Sequence, residues 1–490
     1  MMFKMKDEKT VKPDENSGLG LSVDKKTVIM ISLVLLALWI FAGVLTQVLP
    51  TGIYDMAQDG SIIPDTYHTI SERLPIWKII LSPLLCFTSS YAMAGVGIIL
   101  IIILVGGSFL LLDKSGVLKY IMATLIRRFE KKKYVLMAVV VFVCMLLSST
   151  AGVLEESVTL VPLAVAISLA MGWDSLVGLG ISLISIAWGF TAATFNPFNV
   201  VTVQKLANLE IYSGLWLRCI LFVLVYAVLF LFLFVYAKKI EKNPKKSIVY
   251  ESDMALREKY TIDDMEKVLA DTSAKKSTRF FLMCMLTDLV CIVLDLVIGL
   301  GGYLSLGAMA LLFTAGGLYA GYNTGLRGKK LAKSFFGGAK TLAPVIPLII
   351  FIIAISYILN EGNIMHTILF KVDALMEGMS PFGAIFLLFG LIALLEFFIG
   401  SGTAKAFLIM PIIAPLSDLV GITRQSVVTT FCMADGFTNL LYPTSGIMII
   451  AIGLVGVSYG KWLRWSWKLF FGEFLLAAAV MLFMVKIHYV

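Results

Sequence analysis

Residues 148–205 read SSTAGVLEESVTLVPLAVAISLAMGWDSLVGLGISLISIAWGFTAATFNPFNVVTVQK, and residues 400–446 read GSGTAKAFLIMPIIAPLSDLVGITRQSVVTTFCMADGFTNLLYPTSG. Each stretch opens on a small, hydroxyl-bearing break and runs through an apolar arm to a proline, Pro162 or Pro411, with Gly172 or Gly421 ten residues on. Each then reaches Gly-Phe-Thr, at 189–191 and 436–438, and closes on Asn196-Pro197 or Tyr442-Pro443. The proline-to-GFT spacings are 27 and 25, and the GFT-to-proline spacings 8 and 7. Glycine and proline are common in membrane helices, but two interrupted elements in matched order point to an internal repeat. Backbone freed by such breaks is tolerated at membrane depth only where protein or a water-filled cavity surrounds it. Paired breaks at corresponding positions are therefore a sequence pointer to a transporter's binding site.

The rest of the chain sets this repeat in a membrane. Of 490 residues, 59% are hydrophobic and 15% charged, and the mean hydropathy is +0.92, which rules out a water-facing exterior for most of the chain. Apolar runs of about 17–25 residues each suffice to cross a ~30 Å hydrocarbon core as a helix. Full spans are expected at 27–48, 93–112, 214–237, 280–299, 303–321, 342–359 and 469–487, and the interrupted stretches 175–206 and 425–457 read as broken helices that each cross once. Segments 134–171 and 382–420 have arms of about 16 residues, reaching only ~24 Å, and lean toward re-entrant hairpins over pairs of crossings. The expectation is an all-α polytopic membrane protein, with about nine transmembrane helices and two re-entrant hairpins in two repeats. Its parts are a cytoplasmic tail (1–26), a first repeat (27–237), a cytoplasmic linker (238–279), and an extra helix with the second repeat (280–490). Residues 115–129 and 362–378 read as amphipathic interfacial helices.

Charge placement gives the orientation. Segments 1–26, 114–133, 238–280, 327–340 and 461–468 carry 32 of the 40 Lys and Arg, whereas the proposed outer loops carry Arg73, Lys371 and Arg424. The positive-inside rule then puts the N-terminus in the cytoplasm of a cell-membrane protein and inverts the two repeats. The net charge of +8 follows from these loop ends and does not indicate a nucleic-acid partner. The polar, lysine-rich start resembles neither a signal peptide nor a transit peptide. Cys86, Cys144, Cys219, Cys284, Cys291 and Cys432 form no CxxC pair, and His68, His366 and His488 fall in loops or at the terminus. No metal centre or cofactor is expected.

Intramembrane charges mark the candidate site, since each is costly unless paired or hydrated. Glu155 and Glu156 follow the first break, Glu396 and Lys405 flank the second, and Asp435 lies in the second broken helix; Asp288 and Asp295 share a face of the 280–299 helix. Six acids against one lysine favour a cation, whether Na⁺, H⁺ or a cationic substrate. Adjacent Glu155 and Glu156 do not both ionise cheaply in a low dielectric. Lys405 suits either a substrate carboxylate or neutralisation of a glutamate. The breaks SSTAG, NPFN, GSGTA and YPTSG add oxygen ligands for Na⁺, and half-helix starts add N–H groups for a carboxylate.

The segments GVLEESVTLVP, GWDS, NPFNVVTVQ, GSGTAKAFLIMPIIAPLSDLVGITRQ and DGFTNLLYPTSG resemble the YfcC/DcuC-type carriers of the ion transporter superfamily. That family includes ArcD-like basic amino-acid antiporters, C4-dicarboxylate carriers and short-chain fatty-acid carriers. The resemblance implies inverted repeats, elevator-type alternating access, and substrate and ion held at hairpin tips and broken-helix loops. By position it brings in Ser149, Thr150, Asn196, Gly400, Ser401, Gly402, Thr403, Asn439, Thr444 and Ser445. The chain departs from the family pattern at Phe195, bulky where small residues precede NPF.

The expectation is a secondary active transporter rather than an enzyme, since no nucleophile–base pair, metal cluster or GxxxxGK[ST] nucleotide loop is present. The favoured substrate is a basic amino acid, exchanged in the manner of arginine and ornithine. The competing reading is a Na⁺- or H⁺-coupled carrier of C4-dicarboxylates or short-chain organic anions. Substrate binding is expected from Glu155, Glu156, Thr150, Asn196, Ser401, Thr403, Lys405, Asp435, Asn439 and Thr444. A coupling ion would use Ser149, Asn196, Gly400, Gly402, Thr444 and Ser445. Partners are then the small-molecule substrate, Na⁺ or H⁺, the lipid bilayer and, because an elevator needs a fixed scaffold, a second copy in a homodimer.

Overall fold

A helix satisfies its own backbone hydrogen bonds, so an apolar chain without water as partner is driven to it. The computed structural model describes residues 25–56, 63, 66–88, 92–154, 157–260, 265–298, 303–376 and 378–490. The expected full spans are helical as Lys25–Val48, Ala92–Lys114, Leu215–Lys242, Thr272–Ile298, Tyr303–Asn323, Ile346–Glu361 and Tyr459–Ile487. Among the described residues, four helices are individually long and apolar enough to cross a membrane: Lys133–Ala151, Leu215–Lys242, Gly402–Leu419 and Tyr459–Ile487. Two of these are arms of the segments read as hairpins. At 19 and 18 residues they rise ~27–28 Å, more than the arm length expected from sequence.

The helices pack in two groups. In the first, Tyr303–Asn323 lies between Thr272–Ile298 and Ala92–Lys114, which also packs on Lys329–Leu342, while Lys25–Val48 pairs with Ile346–Glu361. Small residues allow these close approaches, as is usual where lipid leaves little hydrophobic drive between helices: a Cβ on Gly338 would meet the Gly106 carbonyl oxygen at 2.2 Å. The second group holds both candidate stretches. Lys133–Ala151 packs on Ser185–Thr191, Ser157–Ala170 on Ser175–Leu179, Pro381–Glu396 on Arg424–Thr438, and Gly402–Leu419 on Thr202–Leu206. The two expected amphipathic helices bridge the groups. Val117–Phe129 touches Thr272–Ile298 and Ser157–Ala170, and Ile364–Met376 touches Ile346–Glu361 and Gly402–Leu419. His366 is thus helical and not in a loop. Its Nδ1 accepts from the Tyr54 backbone N–H (3.1 Å), and the loop that carries Tyr54 also stacks Tyr67 on Phe370 at 4.1 Å.

The stretch read as a plain linker is built into the second group. Helix Tyr250–Tyr260 packs on Ser157–Ala170, and Asp253, fully buried, accepts from both the backbone N–H (2.8 Å) and Oγ (2.7 Å) of Ser175. Arg257 donates to the Trp173 carbonyl (2.7 Å), and Ser247 and Tyr236 donate to Asp174, which caps helix Ser175–Leu179. Its polar composition reads as solvated because the partners are themselves polar and 60–90 residues away.

Burial pushes the Asp253 carboxyl up to about 6. A raised carboxyl favours the folded state fully below the unfolded value near 4, and that contribution is lost as pH rises through about 6. Asp253→Ala leaves the Ser175 N–H buried and unpaired and should cost about 1–3 kcal/mol in unfolding free energy. Asp253→Asn can accept from that N–H while donating to Ser175 Oγ. It should melt near the parent at pH 5 and above it at pH 7, as read by thermal unfolding in detergent.

Candidate functional site

The first break is tied down by the loop that follows Gly-Phe-Thr. Ser149 Oγ donates to the Ala192 carbonyl (2.7 Å) and lies 3.0 Å from Thr194 Oγ1, while the Ser149 carbonyl accepts the N–H groups of Thr194 (2.9 Å) and Phe195 (3.1 Å). Asn196 Nδ2 donates to the Ser148 carbonyl (3.2 Å), and its Oδ1 caps the next helical turn by accepting from the N–H of Phe198 and Asn199. The helix restarts there in a wide π-type turn, Pro197–Val201. The bulk of Phe195 does not fill this cluster, because its ring is exposed and lies edge-on to Tyr212 at 5.2 Å.

The second break sits over a buried charge cluster. Lys405, one turn into helix Gly402–Leu419, is fully buried and forms ion pairs with Glu396 and, at 2.5 Å, with Asp435. Asn199 Nδ2 donates to the other Asp435 oxygen (3.3 Å), and Thr403 Oγ1 donates to the Phe198 carbonyl (2.9 Å). The two halves of the chain therefore meet at the second break. A Cβ on Gly402 would stand 2.9 Å from Asp435 Oδ2, so a side chain there would push on this carboxylate. Gly436 of one GFT motif lies directly on Thr191 of the other, with a Cβ reaching 2.3 Å from the Thr191 nitrogen. One ammonium between two carboxylates leaves a formal charge of −1.

The remaining expected residues divide. Ser401 and Ser445 use their hydroxyls as helix caps toward Ala404 and Met448, and Thr150 Oγ1 turns back to Leu146 in its own helix (2.6 Å). Asn439 is buried at the end of Arg424–Thr438, Thr444 Oγ1 is buried with no hydrogen-bond partner, and Gly400 is exposed with open space around it. Glu155 and Glu156, and the Asp295 side chain, lie outside the described residues. Asp288 is buried with Oδ1 unpartnered. Among the described residues no group of His, Cys, Asp and Glu could hold a metal ion.

Besides Asp174 and Asp253, two buried charges inside long apolar helices escaped the sequence reading. Arg218 is 1% exposed and Glu473 2% exposed, each within a long apolar helix. Arg218 overturns the count of a single interior cation. It lies four residues into its helix, where a base ordinarily reaches back to the interface, and only the packing shows that it does not. Removing the lysine from its cluster exposes the cost of the two acids. Lys405→Met should destabilise by about 3–5 kcal/mol, measured by unfolding in detergent, and adding Glu396→Gln and Asp435→Asn should recover part of that loss.

Residues 29–486 match the family described as C4-dicarboxylate anaerobic carrier, DcuC. A protein of Escherichia coli (strain K12) named "Putative basic amino acid antiporter YfcC" is 28% identical over 389 residues, covering 77% of this chain and 74% of its own. An uncharacterized protein of Haemophilus influenzae (strain ATCC 51907 / DSM 11121 / KW20 / Rd) is 26% identical over 397 residues, with coverages of 80% and 76%. The YdaH transporter of Alcanivorax borkumensis aligns with TM-score 0.43 and 18% identity over 93% of this chain and 98% of its own. MtrF of Neisseria gonorrhoeae aligns with the same score and identity over 94% of each. With its family match running almost from end to end, the chain belongs to the DcuC family of transporters.

Proposed function

We propose that this transporter exchanges basic amino acids across the cell membrane by alternating access. The observation that carries the reading is the −1 charge of Glu396, Lys405 and Asp435 beneath the second break. A basic amino acid brings a net +1, and Glu155 and Glu156, which follow the first break in sequence, add carboxylates for its side chain. The name of the Escherichia coli relative supports the same substrate class. Lys405 then neutralises acids and does not bind the substrate carboxylate, for which the half-helix starts capped by Ser401 and Ser445 remain.

A second reading, a Na⁺- or H⁺-coupled carrier of C4-dicarboxylates or short-chain organic anions, is favoured by the oxygen-rich first break. Ser149 Oγ, Thr194 Oγ1, the Ala192 carbonyl and Asn196 are the kind of ligands Na⁺ takes, and the family description names C4-dicarboxylates.

In either case the working architecture is two inverted repeats, the first at 27–237 and the second, preceded by an extra helix, within 280–490, with the tail 1–26 cytoplasmic. The helix group that holds both breaks moves as an elevator against the other group, with Val117–Phe129 and Ile364–Met376 as connecting arms and a homodimer supplying the fixed scaffold. The segment 238–279 travels with the moving group.

Proteoliposomes preloaded with ornithine and given no ion gradient should take up labelled arginine, and empty vesicles should not. The pair Glu155→Gln and Glu156→Gln should abolish uptake while leaving folded protein. Absence of uptake in both vesicle types, with succinate entering under an inward Na⁺ or H⁺ gradient, would select the second reading. For topology, Gly172→Cys and Gly421→Cys should label from opposite faces of the membrane; labelling from one face removes the inverted repeat.

A further inference from the structure

We propose that Arg218 anchors a buried binding site for a small monoanion, the chemistry shared by chloride and a short carboxylate. The site lies where helix Leu215–Lys242 begins, against helix Arg424–Thr438 and the turn at Tyr489. It is independent of the substrate assigned above.

Arg218 Nε, Nη1 and Nη2 are all buried, and none has a hydrogen-bond partner. A guanidinium does not escape this by losing its proton, and a buried charge left unpaired is strongly destabilising. Asp435, the carboxylate lower on the same face of Arg424–Thr438, is already held by Lys405 and Asn199. Among the described residues no carboxylate pairs with Arg218, and a bound anion supplies the counter-charge.

The neighbours are donors. Gln425, Thr429 and Cys432 recur at helical spacing along one face of Arg424–Thr438. Gln425 Oε1 accepts from Ser213 Oγ (3.0 Å) and Gln204 Nε2 (3.4 Å), which turns its Nε2 the other way, and that Nε2 is buried without a partner. Thr429 Oγ1 is buried and unpartnered as well. The Tyr489 hydroxyl lies beside both, and Tyr489 and Cys432 both stand within reach of the Arg218 charge. Tyr489 spends its own proton on the Gly214 carbonyl. Gly214, in the left-handed region at φ +63°, brings the helix start in so closely that a Cβ there would stand 2.7 Å from Gln425 Nε2. An unpartnered guanidinium beside an amide NH₂ and a hydroxyl that share only the Tyr489 oxygen as a neighbouring acceptor is a donor-rich set of the kind anions take. Gln425, Thr429, Cys432 and Tyr489 are each no more than 2% exposed, so the occupant is small and sheds its water.

The test uses the full chain in lipid nanodiscs at constant Na⁺ and ionic strength, with gluconate replaced stepwise by chloride or by formate. The readouts are melting temperature and the fluorescence of Trp216, whose ring lies 5.7 Å from that of Tyr489. A saturable response is expected, with a rise of about 2–3 °C at a hundredfold excess over Kd. A response to chloride alone marks an inorganic ion, and one to both anions marks a site that also takes carboxylates. Arg218→Met should abolish the response, and Thr429→Val should raise the half-saturating concentration at least threefold. Identical melting in gluconate, chloride and formate means a hydrated guanidinium only and overturns the proposal. So does a response that survives Arg218→Met or, should that variant not fold, a half-saturation unchanged in Thr429→Val.

Discussion

The ion cluster of Lys405 with Glu396 and Asp435 fixes more of this molecule than any other contact. It joins the end of Pro381–Glu396, the start of Gly402–Leu419 and the last turn of Arg424–Thr438, and Asn199 extends it to the first half of the chain. Burying three charges is unfavourable unless every partner is in place. Slippage of any one helix therefore strands a charge in a medium that cannot solvate it. Apolar packing supplies no such penalty in a membrane, because lipid tails are as good a partner as leucine. The position of the second break is thus set by electrostatics, and a side chain at 402 would push on the acid.

The first break is held by another means. It carries no described charge, and Ser149, Thr194 and Asn196 satisfy the loosened backbone through hydroxyl and amide contacts. Neutral hydrogen bonds of this sort contribute about 1 kcal/mol each, so this end is the more easily rearranged. One tip is thus held by ion pairs and the other, among the described residues, by neutral hydrogen bonds, despite their matched motifs. The first group of helices packs through glycines and meets this assembly chiefly at the two amphipathic helices.

How much of this was legible depended on range. Apolar runs and hydroxyl-bearing breaks are local, and the helices and their interruptions fell close to where composition put them. The caps at Asn196, Ser401 and Ser445 are local too, as oxygen-bearing residues just ahead of a helix. The partners of Lys405 were named as charges but not as a set, because Asp435 stands thirty residues away and only the packing of two helices brings it near. Arg218 lies inside the span expected at 214–237 but was not counted among the interior charges, and Asp253 read as one acid in a soluble stretch. Neither spacing nor hydropathy records which polar group will lie opposite another. The length of the arm Lys133–Ala151 was underestimated because helix persists through Ser148, Ser149 and Thr150, residues that read as a break.

Gly436 resting on Thr191 carries a consequence for how such a chain can change over generations. A side chain at 436 has no room while the backbone at 191 keeps its course, and that course is fixed by the loop binding Ser149. Substitution in one GFT motif thus requires a compensating shift in the other half. The two halves of the chain are free to diverge in their charges and loops but not at this crossing. Here each half is the other's selective environment.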